Sequence, residues 1–169
     1  LLKRVFDILL SLVLLVLLSP VMLILALAIR LDSPGEVLFR QVRVTQYGQE
    51  FRIFKFRTMV ANAQQLGTQV TVQGDMRITR VGKLLRKCRL DELPQLLNIL
   101  MGQMSFVGTR PEVPRYVRQY TPQMLATLLL PAGVTSQASI RYKDEDRLLD
   151  SSADPDRTYV EQVLPGKME

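Results

Sequence analysis

The chain has 169 residues, 47% of them hydrophobic, with 22 Lys and Arg against 16 Asp and Glu for a net charge of +6. The balance favours acidic partners such as phosphates, nucleic acid or an anionic membrane surface, and the length suits one compact body plus one membrane element. A single cysteine, Cys88, excludes an internal disulfide, and with no histidine any proton transfer falls to carboxylates, Lys, Tyr or water, any metal site to oxygen ligands that suit Mg²⁺ better than zinc.

From Ile8 to Ile29 the sequence runs for 22 residues without a charge, enough to cross a hydrocarbon core of roughly 30 Å. It is too long for the apolar region of a signal peptide, and no small-residue cleavage site follows it before Arg30. Ser19-Pro20 interrupts it: Pro removes a backbone donor and kinks a helix, while the Ser hydroxyl can satisfy the freed carbonyl. Lys3 and Arg4 precede the run and Arg30, Arg40 and Arg43 follow it, so the positive-inside rule gives no direction of crossing. A spanning helix and a re-entrant one both remain open. Asp7, at the rim, reads as an interfacial residue paired with Arg4.

After the turn signal Asp32-Ser33-Pro34-Gly35, residues 37–44 and 50–59 flank Gly48 and predict a β-hairpin. Alternation places Phe51, Ile53, Lys55 and Arg57 on one face, the two cations reading either as a solvated strand end or as phosphate contacts. Residues 61–76 are polar and read as a surface loop. Val81, Leu84, Leu85 and Cys88 then recur at helical spacing among Lys83, Arg86 and Lys87, which predicts a basic amphipathic helix.

The stretch RLDELPQLLNIL (89–100) begins a second helix, with Pro94 in its first turn and an apolar stripe of Leu93, Leu96, Leu97 and Leu100. Asp91 and Glu92 fall near its N-terminus, where negative charge is stabilised, and Asp91 reads as the N-cap. Arg86 lies before this pair, and Gly102, Gly108 and Arg110-Pro111 follow it. Gly-rich turns admit a ligand close to the backbone, and Arg holds phosphate through two bonds at once. Residues 121–131 predict a short helix closed by Pro131 and Gly133. Asp144, Glu145, Asp146, Asp150, Asp154 and Asp156, interleaved with Arg147, read as a solvated face rather than a metal loop.

KFRTM (55–59), RITRVGKLLRKCRLDELPQLLNIL (77–100) and MSFVGTRPE (104–112), in this order behind an apolar segment with Ser-Pro, resemble the monotopic phosphoglycosyl transferases, the bacterial sugar transferase family. The similarity runs from about Lys3 to Gly133. It implies an α/β fold, mostly helical with a small β-hairpin. Residues 1–31 would form a re-entrant membrane helix hairpin broken at Ser19 and Pro20, and residues 32–169 a compact catalytic domain on the cytosolic face of the bacterial cytoplasmic (inner) membrane.

The implied reaction transfers a sugar 1-phosphate from a UDP-sugar to a polyprenol (undecaprenyl) phosphate and releases UMP, the first membrane step of many glycoconjugate pathways. Asp91 would be the nucleophile, forming a covalent phosphosugar intermediate. Asp91 and Glu92 would hold Mg²⁺, and Lys55, Arg86 and Arg110 would clamp phosphates. The partners are then the UDP-sugar, the polyprenol phosphate and the membrane, with a homo-oligomer compatible and no nucleic acid. The alternatives are direct transfer with Asp91 or Glu92 as base, and a non-catalytic membrane-anchored binder whose basic helix, residues 77–89, grips anionic lipid or nucleic acid. Thr109 stands where the family usually has Pro, Gln103 replaces a common Asp, and residues 131–145 follow the family's Pro-Gly-x-Thr-Gly stretch only in part. Sugar specificity is therefore not carried over. The family's usual C-terminal helical part would extend beyond Glu169.

Overall fold

The structure is a computed structural model that describes residues 1–66, 71, 74–142 and 155–168. It is mostly helical with two small sheets. Helix α1 spans Leu2–Asp32, and its 31 residues make it about 46 Å long. The chain stays helical through Ser19-Pro20. Pro20 has no N–H to offer the carbonyl of Val16; the Ser19 hydroxyl donates to that carbonyl instead, at 2.8 Å.

One seam of α1 follows the spacing of three and four that keeps side chains on a single helix face. At its start Arg4 donates to the carbonyls of Ile99 and Leu100, and Asp7 accepts from the Ser105 hydroxyl at 2.8 Å. Leu14, Leu15 and Leu18 then pack on the cluster of Phe51, Ile53, Leu96, Ile99, Met104 and Ala132. Met22, Leu25, Ala26 and Ile29 pack with Phe56 and Leu85. Asp32 accepts from the backbone N–H of Val81 at 3.0 Å. Both ends of the helix thus rest on the same body, while Val5, Leu9, Leu12, Val16, Ile24 and Leu27 stand exposed on its other side. The expected pairing of Asp7 with Arg4 is corrected: Asp7 pairs with Lys3 at 3.5 Å, and Arg4 caps the carbonyl end of the helix that closes at Leu100.

Strands β1 (Leu38–Val44) and β2 (Glu50–Phe56) form the expected antiparallel hairpin, in register from Leu38 opposite Phe56 to Val44 opposite Glu50. Phe51 and Ile53 are buried on one face of β2 and Phe56 packs on the other. Arg57, one residue past the strand, is neither a solvated strand end nor exposed to a ligand. It is buried and donates to the carbonyls of Ser33 and Pro34 at 2.7 and 2.6 Å, tying the hairpin to the end of α1.

Helix α2 (Arg80–Lys87) is capped by the Thr79 hydroxyl, which accepts from the N–H of Gly82. Its buried residues are Gly82 and Leu85, with Val81 partly buried beside them, rather than the predicted stripe, because Gly82 lies against the backbone of Thr58, where a Cβ would collide. Leu84 is 58% exposed, and Cys88 is exposed too. Helix α3 (Gln95–Leu100) leads into β3 (Met104–Val107). Helices α4 (Pro114–Val117) and α5 (Pro122–Leu125) follow, the latter continued by a 3₁₀ turn to Leu129. Strand β4 (Ala132–Thr135) pairs parallel with β3, so Gly133 closes no helix; it sits in a strand opposite Ser105. Helix α6 spans Gln137–Arg141. Helices α7 (Pro155–Thr158) and α8 (Leu164–Met168) are joined by a π-helical turn, Tyr159–Val163, and Tyr159 and Val163 of the turn pack with Leu164 of α8 on Val113 and Tyr116. Most of the acidic stretch from Asp144 to Asp156 lies outside the described residues, as does the side chain of Asp156.

Candidate active site

The chain leaves α2 through Arg89, which has a φ of 56° and so takes the left-handed conformation common just past a helix end. That reversal starts a 3₁₀ turn, Leu90–Glu92, and Pro94 opens α3 immediately afterwards. Asp91 is therefore inside a tight turn between two helices and is not the N-cap of α3, a position that Pro94 occupies. Its side chain is not bonded to the first amides of that helix. Asp91 is only 9% exposed, and its Oδ1 has no hydrogen-bond partner among the described residues. Buried carboxylate oxygens are ordinarily paired, and leaving one unpaired is costly.

Glu92, one residue on, is paired through its Oε1. Lys55 reaches it from β2 with Nζ–Oε1 at 2.9 Å, and Arg89 lies 3.8 Å from the same oxygen. Lys55 is thus not a free strand end, and its side chain is half-buried. Burial, the largest single effect, works against the charge of Glu92, but the charge and hydrogen bond of Lys55 together with the charges of Arg89 and Arg110 outweigh it and hold the carboxyl below its ordinary range. For Asp91 burial wins: desolvation raises its pKa against the attraction of Lys55, and the charge of Glu92 pushes the same way. Burial also draws Lys55 below the ordinary lysine value, despite Glu92 and Asp91. Two adjacent carboxylates are thereby driven apart, one charged and paired, the other desolvated and open.

The remaining predicted cations converge on this pair. Arg86, in the last turn of α2, lies close enough for its charge to act on Asp91. Arg110, in the loop after β3, acts on Lys55 and Glu92 and places its guanidinium 3.4 Å from the Ser139 hydroxyl on α6. Lys55, Arg86 and Arg110 come from three separate elements, so the fold brings together what the sequence spreads over 56 positions, from 55 to 110. Arg89 was missed in the sequence reading, although its spacing of three from Glu92 is a recognisable ion-pair signal. Ser139 carried no signal that would single it out.

Among the described residues no group of three or more His, Cys, Asp or Glu forms a metal cage. Asp91 and Glu92 are the residues that would hold Mg²⁺, an ion commonly bound by one or two carboxylates together with substrate phosphates and water, and the buried Oδ1 of Asp91, without a partner among the described residues, fits such a ligand.

The raised pKa of Asp91 has a consequence for stability. Its folded-state value lies above the unfolded value near 3.8, so the stabilisation is complete below that pH and is lost as pH rises through the folded value. Ionised Asp91 therefore opposes folding at neutral pH. Asp91→Asn, which cannot ionise, is expected to melt higher than the unaltered chain at pH 7, with the gap closing as pH falls towards about 4. Thermal unfolding in detergent at several pH values checks this; a variant that melts lower at pH 7 would contradict it.

A profile of the bacterial sugar transferase family matches residues 1–165. The UDP-N-acetylgalactosamine-undecaprenyl-phosphate N-acetylgalactosaminephosphotransferase of Aeromonas hydrophila is 51% identical over 118 residues, which cover 70% of this chain and 28% of that protein. The UDP-glucose:undecaprenyl-phosphate glucose-1-phosphate transferase of Escherichia coli (strain K12) is 44% identical over 144 residues, 83% of this chain and 31% of the relative. The enzyme described by the same words in Caulobacter vibrioides is 42% identical over 142 residues, 82% of this chain and 53% of its own length. The chain thus spans between 28% and 53% of the length of these relatives. With nearly its whole length matched and these identities beside it, the chain belongs to the bacterial sugar transferase family and is close to known polyprenyl-phosphate sugar-1-phosphate transferases.

Proposed function

We propose that the chain transfers a sugar 1-phosphate from a UDP-sugar to undecaprenyl phosphate or a similar polyprenyl phosphate, through a covalent intermediate on Asp91. The observation that carries this reading is the buried Oδ1 of Asp91, unpartnered among the described residues, beside a cluster of cations. The relatives' names supply the substrate class: each transfers a phosphosugar to undecaprenyl phosphate. In the first step an Asp91 carboxylate oxygen bonds to the β-phosphorus of the UDP-sugar. The bond from that phosphorus to the bridging oxygen breaks, and UMP leaves with the electron pair. In the second step a phosphate oxygen of the lipid attacks the same phosphorus, and the Asp91 carboxylate leaves unchanged.

Lys55, Arg86 and Arg110 balance the charge of the diphosphate, and Glu92 keeps Lys55 from pairing with the nucleophile. A partly desolvated carboxylate is the better nucleophile because fewer hydrogen bonds must be broken before it attacks. Asp91 and Glu92 would hold Mg²⁺, which when bound neutralises charge on the phosphates.

The test is UMP release from UDP-glucose and UDP-N-acetylgalactosamine with undecaprenyl phosphate and Mg²⁺. The chain is expected to turn over at least one of them, Asp91→Asn to lose about 10³-fold or more, and Glu92→Gln to be partly rescued by raised Mg²⁺. No UMP from either sugar, or an Asp91→Asn variant at the unaltered rate, would overturn the reading and leave a membrane-anchored binder.

The same reading places α1 in the cytoplasmic membrane as a re-entrant element, entering and leaving on the cytosolic side. Its support is the packing of both helix ends on one body, with basic residues at each end and an apolar face outward. Single cysteines introduced at positions 2 and 46, in a Cys88→Ser background, should both be protected from an impermeant reagent in intact cells. Labelling of only one from outside would mean that the helix crosses.

A further inference from the structure

Asn98 lies in α3, two turns beyond Asp91, and is fully buried at 0% exposure. A buried amide must bond through both its oxygen and its nitrogen, and Asn98 does so at the edge of β2. Its Oδ1 accepts from the backbone N–H of Phe54 at 2.9 Å, and its Nδ2 donates to the backbone carbonyl of Arg52 at 2.8 Å. Residues 52 and 54 point their backbone groups to the same side of the strand. Ile53 and Lys55 point theirs to the other, which belongs to β1. The Asn98 side chain therefore takes the place of a neighbouring strand's peptide. Its second amide hydrogen goes to Gln103 Oε1 at 2.7 Å. Gln103 is fixed in turn, because its carbonyl accepts from the Thr45 hydroxyl, which itself accepts from the N–H of Ala132.

This arrangement sits between the two halves of the site. Phe54 immediately precedes Lys55, whose ammonium meets Glu92, and α3 follows directly on the turn that carries Asp91 and Glu92. The apolar contacts of Phe51 and Ile53 with Leu96 and Ile99 hold strand and helix together but do not fix how far one slides along the other. Directional hydrogen bonds do fix it. We infer that Asn98 is a positioning residue for the transfer reaction: it sets the register of β2 on α3 and so places the Lys55 ammonium on Glu92, leaving Asp91 open. The inference rests on the proposed roles of Asp91, Glu92 and Lys55.

The test is a double-substitution cycle on the full chain, read as UMP release from whichever of UDP-glucose and UDP-N-acetylgalactosamine the unaltered chain uses. Asn98→Asp keeps the shape but turns a carboxylate towards the Arg52 carbonyl and the Gln103 amide oxygen. It is expected to lower kcat/KM by about 10–100-fold, the scale on which a misplacement of about 1 Å acts. In a Lys55→Ala background the same substitution should change kcat/KM by less than about threefold, because the group it positions is gone. The losses in melting temperature should add in both backgrounds, since stability does not pass through Lys55. Asn98→Ser, which can bond only one of the two strand groups, goes through the same cycle where Asn98→Asp yields no folded protein. An equal fold-loss with and without Lys55 would overturn the positioning role and leave Asn98 as a packing residue. A Lys55→Ala variant at the unaltered rate would instead remove Lys55 from the site, and with it the reading on which the inference stands.

Discussion

Lys55 has two adjacent carboxylates within reach and binds one of them, Glu92, at 2.9 Å. That choice sets the electrostatics of the whole site. Glu92 is held charged by its partners, while Asp91, desolvated by the turn it occupies, is left with an oxygen that has no hydrogen-bond partner among the described residues. An ionised carboxylate in that position is unfavourable for the folded chain, and the cost falls where the proposed transfer needs an unshielded nucleophile. The ion pair in turn depends on placing the end of β2 over the turn between α2 and α3. Gly82 against Thr58, Arg57 on the carbonyls of Ser33 and Pro34, and Asn98 on the edge of β2 all serve that placement.

Helix α1 joins the site to its setting. Its inner seam contributes Leu14, Leu15 and Leu18 to the apolar cluster that contains Phe51, Ile53 and Ile99, and Ile29 to the cluster that contains Leu85. The elements that carry Lys55, Arg86 and Asp91 are thus supported by the same helix whose other side stands exposed and apolar. In the proposed topology this keeps the reacting groups at a constant height above the membrane, where a phosphate on a lipid chain can be met by groups that also bind a soluble nucleotide sugar. The polar start of the seam, with Arg4 on the end of α3 and Asp7 on Ser105, fixes the helix along its length as well as around its axis.

Much of this was legible in the sequence where the signal is local. The hairpin followed from alternation around Gly48, the basic helix from its apolar spacing, and the cations from the family resemblance. What was not legible depends on contacts distant in the chain. Strands β3 and β4 have four residues each and pair in parallel across 28 positions, too short for alternation to announce them. The buried face of α2 was shifted by the close approach of Gly82 to Thr58, which no helical wheel contains. Asp91 looked like a helix cap because acids usually are one at such a place; the left-handed residue that moves it into a separate turn is an arginine, and the sequence offered no glycine to mark it. Asp7 was assigned the wrong cation because its real bond is to Ser105, 98 residues away.

The claim on which the rest turns is that Asp91 itself takes the phosphosugar. The most direct measurement is mass spectrometry of the chain after incubation with a UDP-sugar and Mg²⁺ in the absence of any lipid acceptor. The account predicts about one equivalent of UMP released per active site and a matching phosphosugar adduct on the peptide that contains Asp91, discharged when undecaprenyl phosphate is added. A chain that turns over with acceptor present, yet without it releases no UMP and carries no adduct, would contradict the account and assign the reaction to direct transfer between the two substrates.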